Sequence, residues 1–349
     1  MSKIHRENNF DFLRIILASF VIISHSYLCA GNKTNEIMLK LTNGQEGLGG
    51  FAVKCFFIIS GYLIYLSLSR SKNLNSYFWN RFLRLYPAYI VMLLVICLIV
   101  PFVYLGEEQL IENISYRTYF FRQLSFYHIQ DSIDGVFTDL PSNIVNGSLW
   151  TICYEVSMYI LISFLFFINK KFRIYYLILS ILASYIIITF YPFFLNNFLF
   201  KKIYLKAPQF YELFCFFFAG ALMTYVNIKK VKIKNLLIVL AFLLIIISYY
   251  YNFFSYVKYL ILPIFVILIG TQSTPYLNQI GIKLGDNSYG IYIYGWFIQQ
   301  LLMYYFNLTT FPLMILSLII SYIVGLLSWH LIEKKALVYK NLFTKKTLL

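Results

Sequence analysis

The sequence predicts an all-α integral membrane protein, a single bundle of about ten transmembrane helices with both termini in the cytoplasm. Three observations support this prediction. Hydrophobic residues make up 60% of the 349-residue chain and charged residues 12%, whereas soluble domains carry about 25% charged residues. Apolar runs close to the ~20 residues needed to cross a bilayer recur from end to end. Lysine and arginine are also distributed unevenly among the segments between those runs.

Each apolar run is interpreted as a helix because lipid cannot satisfy an open backbone. Barrel strands would alternate apolar with polar residues, and stretches such as LLIVLAFLLIIIS are apolar on every side. The first run is too long for a signal peptide and no small-residue cleavage site follows it, so we expect it to be retained. The predicted spans are 10–29, 51–69, 84–105, 149–168, 174–195, 209–227, 233–251, 255–273, 289–306 and 311–332.

The net charge of +15 is explained by membrane orientation rather than by nucleic-acid binding, because the basic residues lie between apolar runs. With the N-terminus inside, 19 lysines and arginines fall in inner segments and 8 in outer ones, while Arg14 and Lys54 lie within spans. This asymmetry favours the orientation with both termini inside. The basic stretch KKIYLK (201–206) is the exception, since it falls outside.

The chain is expected to form one transmembrane domain over residues 1–349. Its longest segment between spans, about 106–148, is predicted to be an external loop, and a loop of this length usually has a function or is disordered. Residues from about 334–349 are predicted to be a cytoplasmic tail. The five cysteines lie in apolar segments without the spacing of metal ligands, so buried structural thiols and no metal site are expected.

The first span carries three ionisable residues on one side of its helix. At about 100° per residue, Asp11, Arg14 and His25 fall within a sector of roughly 60°. Ionisable residues inside a membrane are costly and usually face a bundle interior or a wet cavity. Asp11 and Arg14 can pair at i, i+3, and His25 lies about 21 Å from Asp11 along the axis. An end-of-helix ion pair with a packing histidine is the alternative, but a membrane histidine can exchange protons near neutral pH, which favours a functional role for His25.

Three further segments carry polar groups that an active site would need. In FFIISGYLI (56–64), Ser60 could donate a hydrogen bond to an oxyanion. The alternative, which the sequence favours, is that Ser60 and Gly61 are an ordinary close-packing pair. In RFLRLYP (81–87), Arg81 and Arg84 lie one turn apart, where they would clamp phosphates or anchor the span at the inner surface. NGSLWTICYE (146–155) begins the fourth predicted span and places Glu155 two turns into it. A carboxylate at that depth is costly, which favours a function.

Taken together and in this order, these segments resemble the acyltransferase 3 family, membrane proteins that acylate sugars of bacterial surface polysaccharides. No single segment is specific, but the combination is. The matching stretches are DFLRIILASFVIISH (11–25), GGFAVKCFFIISGYLI (49–64), RFLRLYP (81–87), NGSLWTICYE (146–155), SYGIYIYGW (288–296) and IEK (332–334).

The resemblance implies a bundle of about ten transmembrane helices, in agreement with the spans counted above. It also implies that His25 is the essential catalytic residue, that Arg14, Arg81 and Arg84 bind the acyl-CoA donor, and that Glu155 belongs to the active site. Two positions depart from the family pattern. Gly295 stands where members often carry histidine, and Lys335 stands where a proline often follows. Any role of that histidine is absent here, and the choice of acceptor is expected to be affected.

The expected protein is therefore a multi-pass O-acyltransferase of the bacterial inner membrane. It would move an acyl group, by default acetyl, from cytoplasmic acyl-CoA to a hydroxyl of a surface polysaccharide or its undecaprenyl-linked precursor, such as O-antigen, capsule or exopolysaccharide. The expected partners are acyl-CoA as donor substrate, that acceptor and the lipid bilayer, with no nucleic acid and no permanently bound cofactor. A polysaccharide flippase, another transporter or a polymerase remains an alternative, and none of these would need acyl-CoA.

The expected mechanism assigns one role to each candidate side chain. His25 is the general base, and Glu155 orients its ring because Asp11 lies too far along the helix and more plausibly holds Arg14. A covalent acyl-enzyme is an open alternative. Trp150 and Ser148 are expected to contact the acceptor.

Overall fold

The computed structural model describes residues 8–228 and 231–342, and over those residues it contains helices but no β-strand. A single antiparallel bridge joins Tyr104 and Val136. Outside the described residues lie part of the predicted tail, 343–349, and six residues of the charge count, Lys3, Arg6, Lys229, Lys230, Lys345 and Lys346. The helices are α1 (Phe10–Cys29), α2 (Ile37–Leu41), α3 (Leu48–Arg70), α4 (Leu74–Ile99), α5 (Ile114–Leu124), α6 (Trp150–Ser163), α7 (Arg173–Phe190), α8 (Ala207–Leu222), α9 (Lys234–Tyr250), α10 (Phe254–Gly270), α11 (Ile280–Lys283), α12 (Ser288–Phe306), α13 (Thr310–Ser328) and α14 (Lys334–Ala336).

Each predicted span overlaps one of these helices, so the all-helical class is confirmed, although α4 begins ten residues before the predicted span 84–105. Six helices in the described part of the chain, some extended by a short 3₁₀ or π turn, are long and apolar enough to cross a membrane: α1, α3, α4, α6, α7 and α13. Helices α9 and α10 are apolar but have only 17 residues each. The count of ten crossings and the orientation of the termini stay predictions.

The chain divides into two compact units. Unit 1 comprises Met1–Leu17, Met38–Arg70 and Ser157–Leu284, and unit 2 comprises Ala18–Ile37, Ser71–Val156 and Gly285–Leu349. Helices α1 and α6 therefore each contribute residues to both units.

In unit 1, α3 and α8 pack with their backbones in contact at two glycines. A methyl group on Gly61 would lie 1.8 Å from the carbonyl oxygen of Phe217, and one on Gly220 would lie 2.0 Å from that of Ile58. Small residues permit such a close approach between membrane helices. In lipid no hydrophobic effect drives helices together, so this close packing stabilises their contact. The glycine of the Ser60–Gly61 pair is therefore a packing residue.

In unit 2, the first part of the long segment predicted to be an external loop runs back along α4. Helix α5 lies antiparallel to α4, since the Tyr116 hydroxyl donates to the Cys97 carbonyl at 3.0 Å and the Tyr86 hydroxyl donates to the Leu124 carbonyl at 3.2 Å. Eight residues of α5 thus follow about three turns of α4. The chain then returns, and Leu105 N–H donates to the Gly135 carbonyl at 2.7 Å.

The second part of the same segment follows α12. Gln300 donates to the Ser142 carbonyl at 2.7 Å, and Asn146 donates to the Ile293 carbonyl at 2.8 Å, seven residues earlier on α12. Val145, between these two contacts, and Phe137, five residues before the first, are fully buried. The segment is therefore folded into the core of unit 2. Its first part lies beside α4 and reaches back to Tyr86, at the end of that helix that the predicted orientation places inside, so an external position stays a prediction only for the parts of the segment that do not line α4.

Candidate active site

The ring of His25 lies in unit 2 against the indole of Trp296 on α12. The two ring centroids are 4.7 Å apart and the planes meet at 80°, an edge-to-face contact. The Nδ1 atom of His25 is buried and has no hydrogen-bond partner among the described residues. Buried polar atoms in native proteins are normally satisfied, and exceptions often mark catalytic groups. The imidazole is thus held by packing, and its Nδ1 is left unsatisfied by the described residues.

Trp296 is fixed by the NGS turn that precedes α6. Its indole N–H donates to the Ile144 carbonyl at 2.9 Å. A methyl group on Gly147 would lie 2.8 Å from the indole ring, so glycine allows the turn to lie directly on it. Asn146 shapes the turn by accepting from Ser148 N–H at 3.1 Å. The NGSLW stretch therefore supports the indole that contacts His25.

A second contact joins α12 to α1 next to His25. The Gln299 amide donates to the Ile22 carbonyl and to the Ser26 hydroxyl, both at 2.8 Å. Both Gln299 and Ser26 are fully buried. These two hydrogen bonds fix the rotation of α1 about its axis next to His25.

Sequence reasoning missed Trp296 and Gln299. Both lie on α12: Trp296 ends the SYGIYIYGW stretch, which carried only the family resemblance, and Gln299 lies just beyond that stretch. A tryptophan or a glutamine in an apolar helix has no spacing that distinguishes a supporting residue from ordinary packing.

Glu155 lies on α6 beside two tyrosines of α12. Its carboxylate is near enough to Tyr289 and Tyr292 to interact electrostatically with both, and the Tyr292 hydroxyl is 2.7 Å from that of Thr151. Glu155 does not bond Nδ1 of His25, which has no hydrogen-bond partner within residues 8–228 and 231–342. The expected role of Glu155 in orienting the ring stays a prediction.

The two residues expected to contact the acceptor differ in exposure. Ser148 is 1% exposed, and its hydroxyl has no partner among the described residues. Trp150 is 39% exposed and packs edge-on against Tyr154 at 5.5 Å. Neither contact with a sugar has been tested.

Arg84 lies between two carboxylates. Its guanidinium is 2.7 Å from Asp286 and 2.9 Å from Glu333, and Glu333 is 1% exposed and also accepts from the Ser328 hydroxyl at 3.0 Å. The rings of Trp329 and Tyr289 lie 5.8 and 5.9 Å from the same guanidinium. A phosphate could bind Arg84 only through its remaining N–H groups or by replacing a carboxylate.

These carboxylates explain two motifs that the sequence left without a role. Glu333 belongs to IEK and Asp286 precedes SYGIYIYGW, so the two stretches meet at Arg84. Arg81, one turn before Arg84 on α4, is half-buried. Its predicted contact with the donor is untested.

The remaining predicted site residues belong to unit 1. Asp11 and Arg14 form the expected i, i+3 ion pair at 2.6 Å. The start of α1 is fixed by Asn9, whose N–H donates to the Gly270 carbonyl at 2.9 Å. His25 lies eleven residues beyond Arg14 on α1, about 16 Å along the helix axis. Ser60 is half-buried on α3, and its predicted oxyanion role is untested.

Unit 1 also holds a charge network, half-buried except for the buried Glu46, that the sequence did not predict. Lys54 donates to Glu46 and lies 3.7 Å from Glu212, which in turn accepts from Lys258. Burial raises the pKa of Glu46, a shift that the charge of Lys54 opposes. Glu46 lies only eight residues before Lys54, but Glu212 and Lys258 are remote in sequence, so only the fold shows that they join the same network. Over the described ranges, no three His, Cys, Asp or Glu side chains lie close enough to hold a metal ion.

The comparisons with known proteins agree with the class of site. The chain belongs to the acyltransferase 3 family, whose acyltransferase domain it matches over residues 7–330. This membership favours the acyltransferase prediction over a flippase, transporter or polymerase. The chain is 28% identical to an O-acetyl transferase of Shigella phage Sf6, over 95% of this chain and 97% of that protein. A stretch of 90 residues is 39% identical to nodulation protein 10 of Rhizobium leguminosarum bv. viciae, covering 25% and 23% of the two chains. No solved structure matches the chain significantly.

Proposed function

We propose that the protein is an O-acyltransferase of the bacterial inner membrane that uses cytoplasmic acyl-CoA, most simply acetyl-CoA, as donor. The acceptor is a hydroxyl of a surface polysaccharide or of its undecaprenyl-linked precursor. Family membership supports acyl transfer, and the phage relative supports acetyl as the group. The observation that carries the proposal is His25, packed edge-on against Trp296 with a buried and unpartnered Nδ1.

The reaction needs one base and one route for the donor. Neutral His25 removes the proton of the sugar hydroxyl as its oxygen attacks the thioester carbonyl. The C–S bond then breaks, and the coenzyme A thiolate leaves and takes up a proton. Such general base catalysis contributes about 10²–10⁴-fold.

The donor phosphates are assigned to Arg81 and Arg84, and Arg14 is assigned to the pantetheine arm. Arg84 binds phosphate by exchanging Asp286, the more exposed of its two carboxylate partners, while the buried Glu333 stays in place. Arginine suits this exchange because its fork accepts carboxylate and phosphate oxygens in the same planar geometry.

Mass spectrometry of surface glycans from cells with and without the gene tests the reaction class. The proposal expects a mass difference of one acyl group per repeating unit, and the mass identifies the acyl group. Identical glycan masses in the two strains, with the protein present in the membrane, would contradict it.

A further inference from the structure

Helix α5 of unit 2 carries a basic concavity to which the acyl-transfer reaction assigns no role. The concavity is open and shallow and has a volume of about 350 Å³. It is lined by Arg117, Thr118, Phe121, Arg122, Ser125 and His128.

The two sides of α5 differ sharply. Tyr119 and Gln123 face the core of unit 2 and are fully buried. Arg117 and Phe121 lie on the opposite side, and Arg122 lies at the flank; all three are exposed, Phe121 by 73%. The concavity therefore combines two guanidinium groups with an apolar ring.

The position of α5 along α4 gives the depth of these groups. Helix α4 is one of the helices long and apolar enough to cross a membrane, and its apolar run begins just after Tyr86. Because Tyr86 bonds Leu124 and Tyr116 bonds Cys97, Arg122 lies near the start of that run, where lipid head groups are expected. Arg117 lies about 7.5 Å further into the bilayer.

Arginine at this depth needs an anionic partner or water, since an unpaired charge in the hydrocarbon region is costly. Among the described residues no carboxylate pairs with Arg117 or Arg122. The site is also separate from Arg84, which lies about 160° around α4 from Tyr86. Water can solvate Arg122 at the head-group level, but Arg117 lies deeper, so we expect an anionic ligand to supply the counter-charge that the two arginines share.

We propose that this concavity binds the phosphate of an anionic phospholipid. The guanidinium groups of Arg117 and Arg122 hold the phosphate, because their planar forks match its oxygens. The acyl chains lie along Phe121 and the 72% exposed Ile114, which continue from the concavity along the predicted membrane-spanning helix. A soluble nucleotide could stack its base on Phe121 but has no apolar chain to extend to Ile114, whereas a phospholipid fits the basic and the apolar parts together.

Lipid titration of the purified full-length protein, followed by native mass spectrometry, tests the proposal. Phosphatidylglycerol is compared with phosphatidylcholine of the same acyl chains, and one phosphatidylglycerol is expected to bind at least about tenfold more tightly. The double variant Arg117→Gln/Arg122→Gln should weaken phosphatidylglycerol binding by about 30-fold, a factor of about five for each arginine near a lipid phosphate. Phosphatidylcholine binding should not change.

Arg70→Gln is the matched control, because Arg70 is an exposed arginine at the end of α3 in unit 1. It should bind phosphatidylglycerol as the parent does. Arg122→Lys retains the charge but loses the fork and should bind with intermediate affinity. All variants are compared only after their thermal unfolding in phosphatidylcholine micelles matches that of the parent.

Equal affinity of the parent for the two lipids, or unchanged phosphatidylglycerol binding by the double variant, would overturn the proposal. The proposal would also be overturned if an isoprenoid diphosphate displaced phosphatidylglycerol at a lower concentration than that of the phosphatidylglycerol. The site would then bind the lipid that carries the sugar acceptor. The titration uses neither acyl donor nor sugar, so its failure says nothing against the acyl-transfer reaction.

Discussion

At the scale of single residues, any side chain at position 147 would meet the indole of Trp296. His25 packs against the same indole. Gly147, the Trp296 indole and the His25 imidazole therefore lie in contact one after another in unit 2. The histidine and the Asp11–Arg14 pair could be predicted, since charged groups stand out in an apolar span. Trp296 and Gly147 could not, because their roles arise from a turn and a helix more than 140 residues apart.

Gly147→Ala is predicted to lower kcat by at least about tenfold with little change in KM, because a small displacement of a catalytic group can cost up to ~10²-fold. Steady-state acyl transfer by purified protein measures both constants. Asn143→Ala is the control, since Asn143 is exposed in the same segment before α6. A normal kcat for Gly147→Ala would remove the indole as the support of His25.

At the scale of secondary-structure elements, hydropathy predicts where the apolar helices lie but not the polar start of α4 at Leu74, and it does not predict the contacts between helices. The predicted 10–29 and 289–306 spans match α1 and α12 within one residue. The partners of Arg84 come from residues 286 and 333, and nothing in their local sequence specifies that meeting. Long-range charge pairing is a property of the fold, which a single sequence does not show.

Arg84→Met is predicted to destabilise the protein by about 3–5 kcal/mol, because it leaves Glu333 buried without a counter-charge. The double variant Arg84→Met/Glu333→Met should recover part of that loss in thermal unfolding, yet remain defective in donor binding. If Arg84 were only structural, the double variant would regain its affinity for acyl-CoA together with its stability.

Gly61→Ala is predicted to lower the unfolding temperature and the amount of protein in the membrane, because its methyl group would overlap the backbone of α8. Ser69→Ala, at an exposed position near the end of the same helix, should have no effect. Unchanged stability of Gly61→Ala would show that α3 and α8 are not packed as closely as described.

At the scale of the whole molecule, hydropathy and the distribution of lysine and arginine predicted a helical membrane protein, and the helical class is confirmed. The fold of residues 106–148 was beyond prediction, because its helix α5 is short and its remainder has no periodicity. Its burial against α4 and α12 depends on tertiary contacts such as those of Gln300 and Asn146.

The predicted orientation can be tested with a membrane-impermeant maleimide on intact cells. Lys33→Cys, after α1, should be labelled, and Lys170→Cys, after α6, should react only once the membrane is opened. Both lysines are exposed, and the parent chain with its buried or half-buried thiols provides the background. The reverse pattern would place the termini outside and the donor arginines on the wrong side for cytoplasmic acyl-CoA.

Transfer of radiolabel from acetyl-CoA to polysaccharide in isolated membranes, compared between the parent and His25→Ala, tests the central claim most directly. Both proteins must be present in the membrane in equal amounts and unfold at the same temperature. The parent should label the polysaccharide, and His25→Ala should fall by at least about 10²-fold, because the sugar hydroxyl then has no base. Near-normal labelling by His25→Ala would contradict the assignment of His25 as the base.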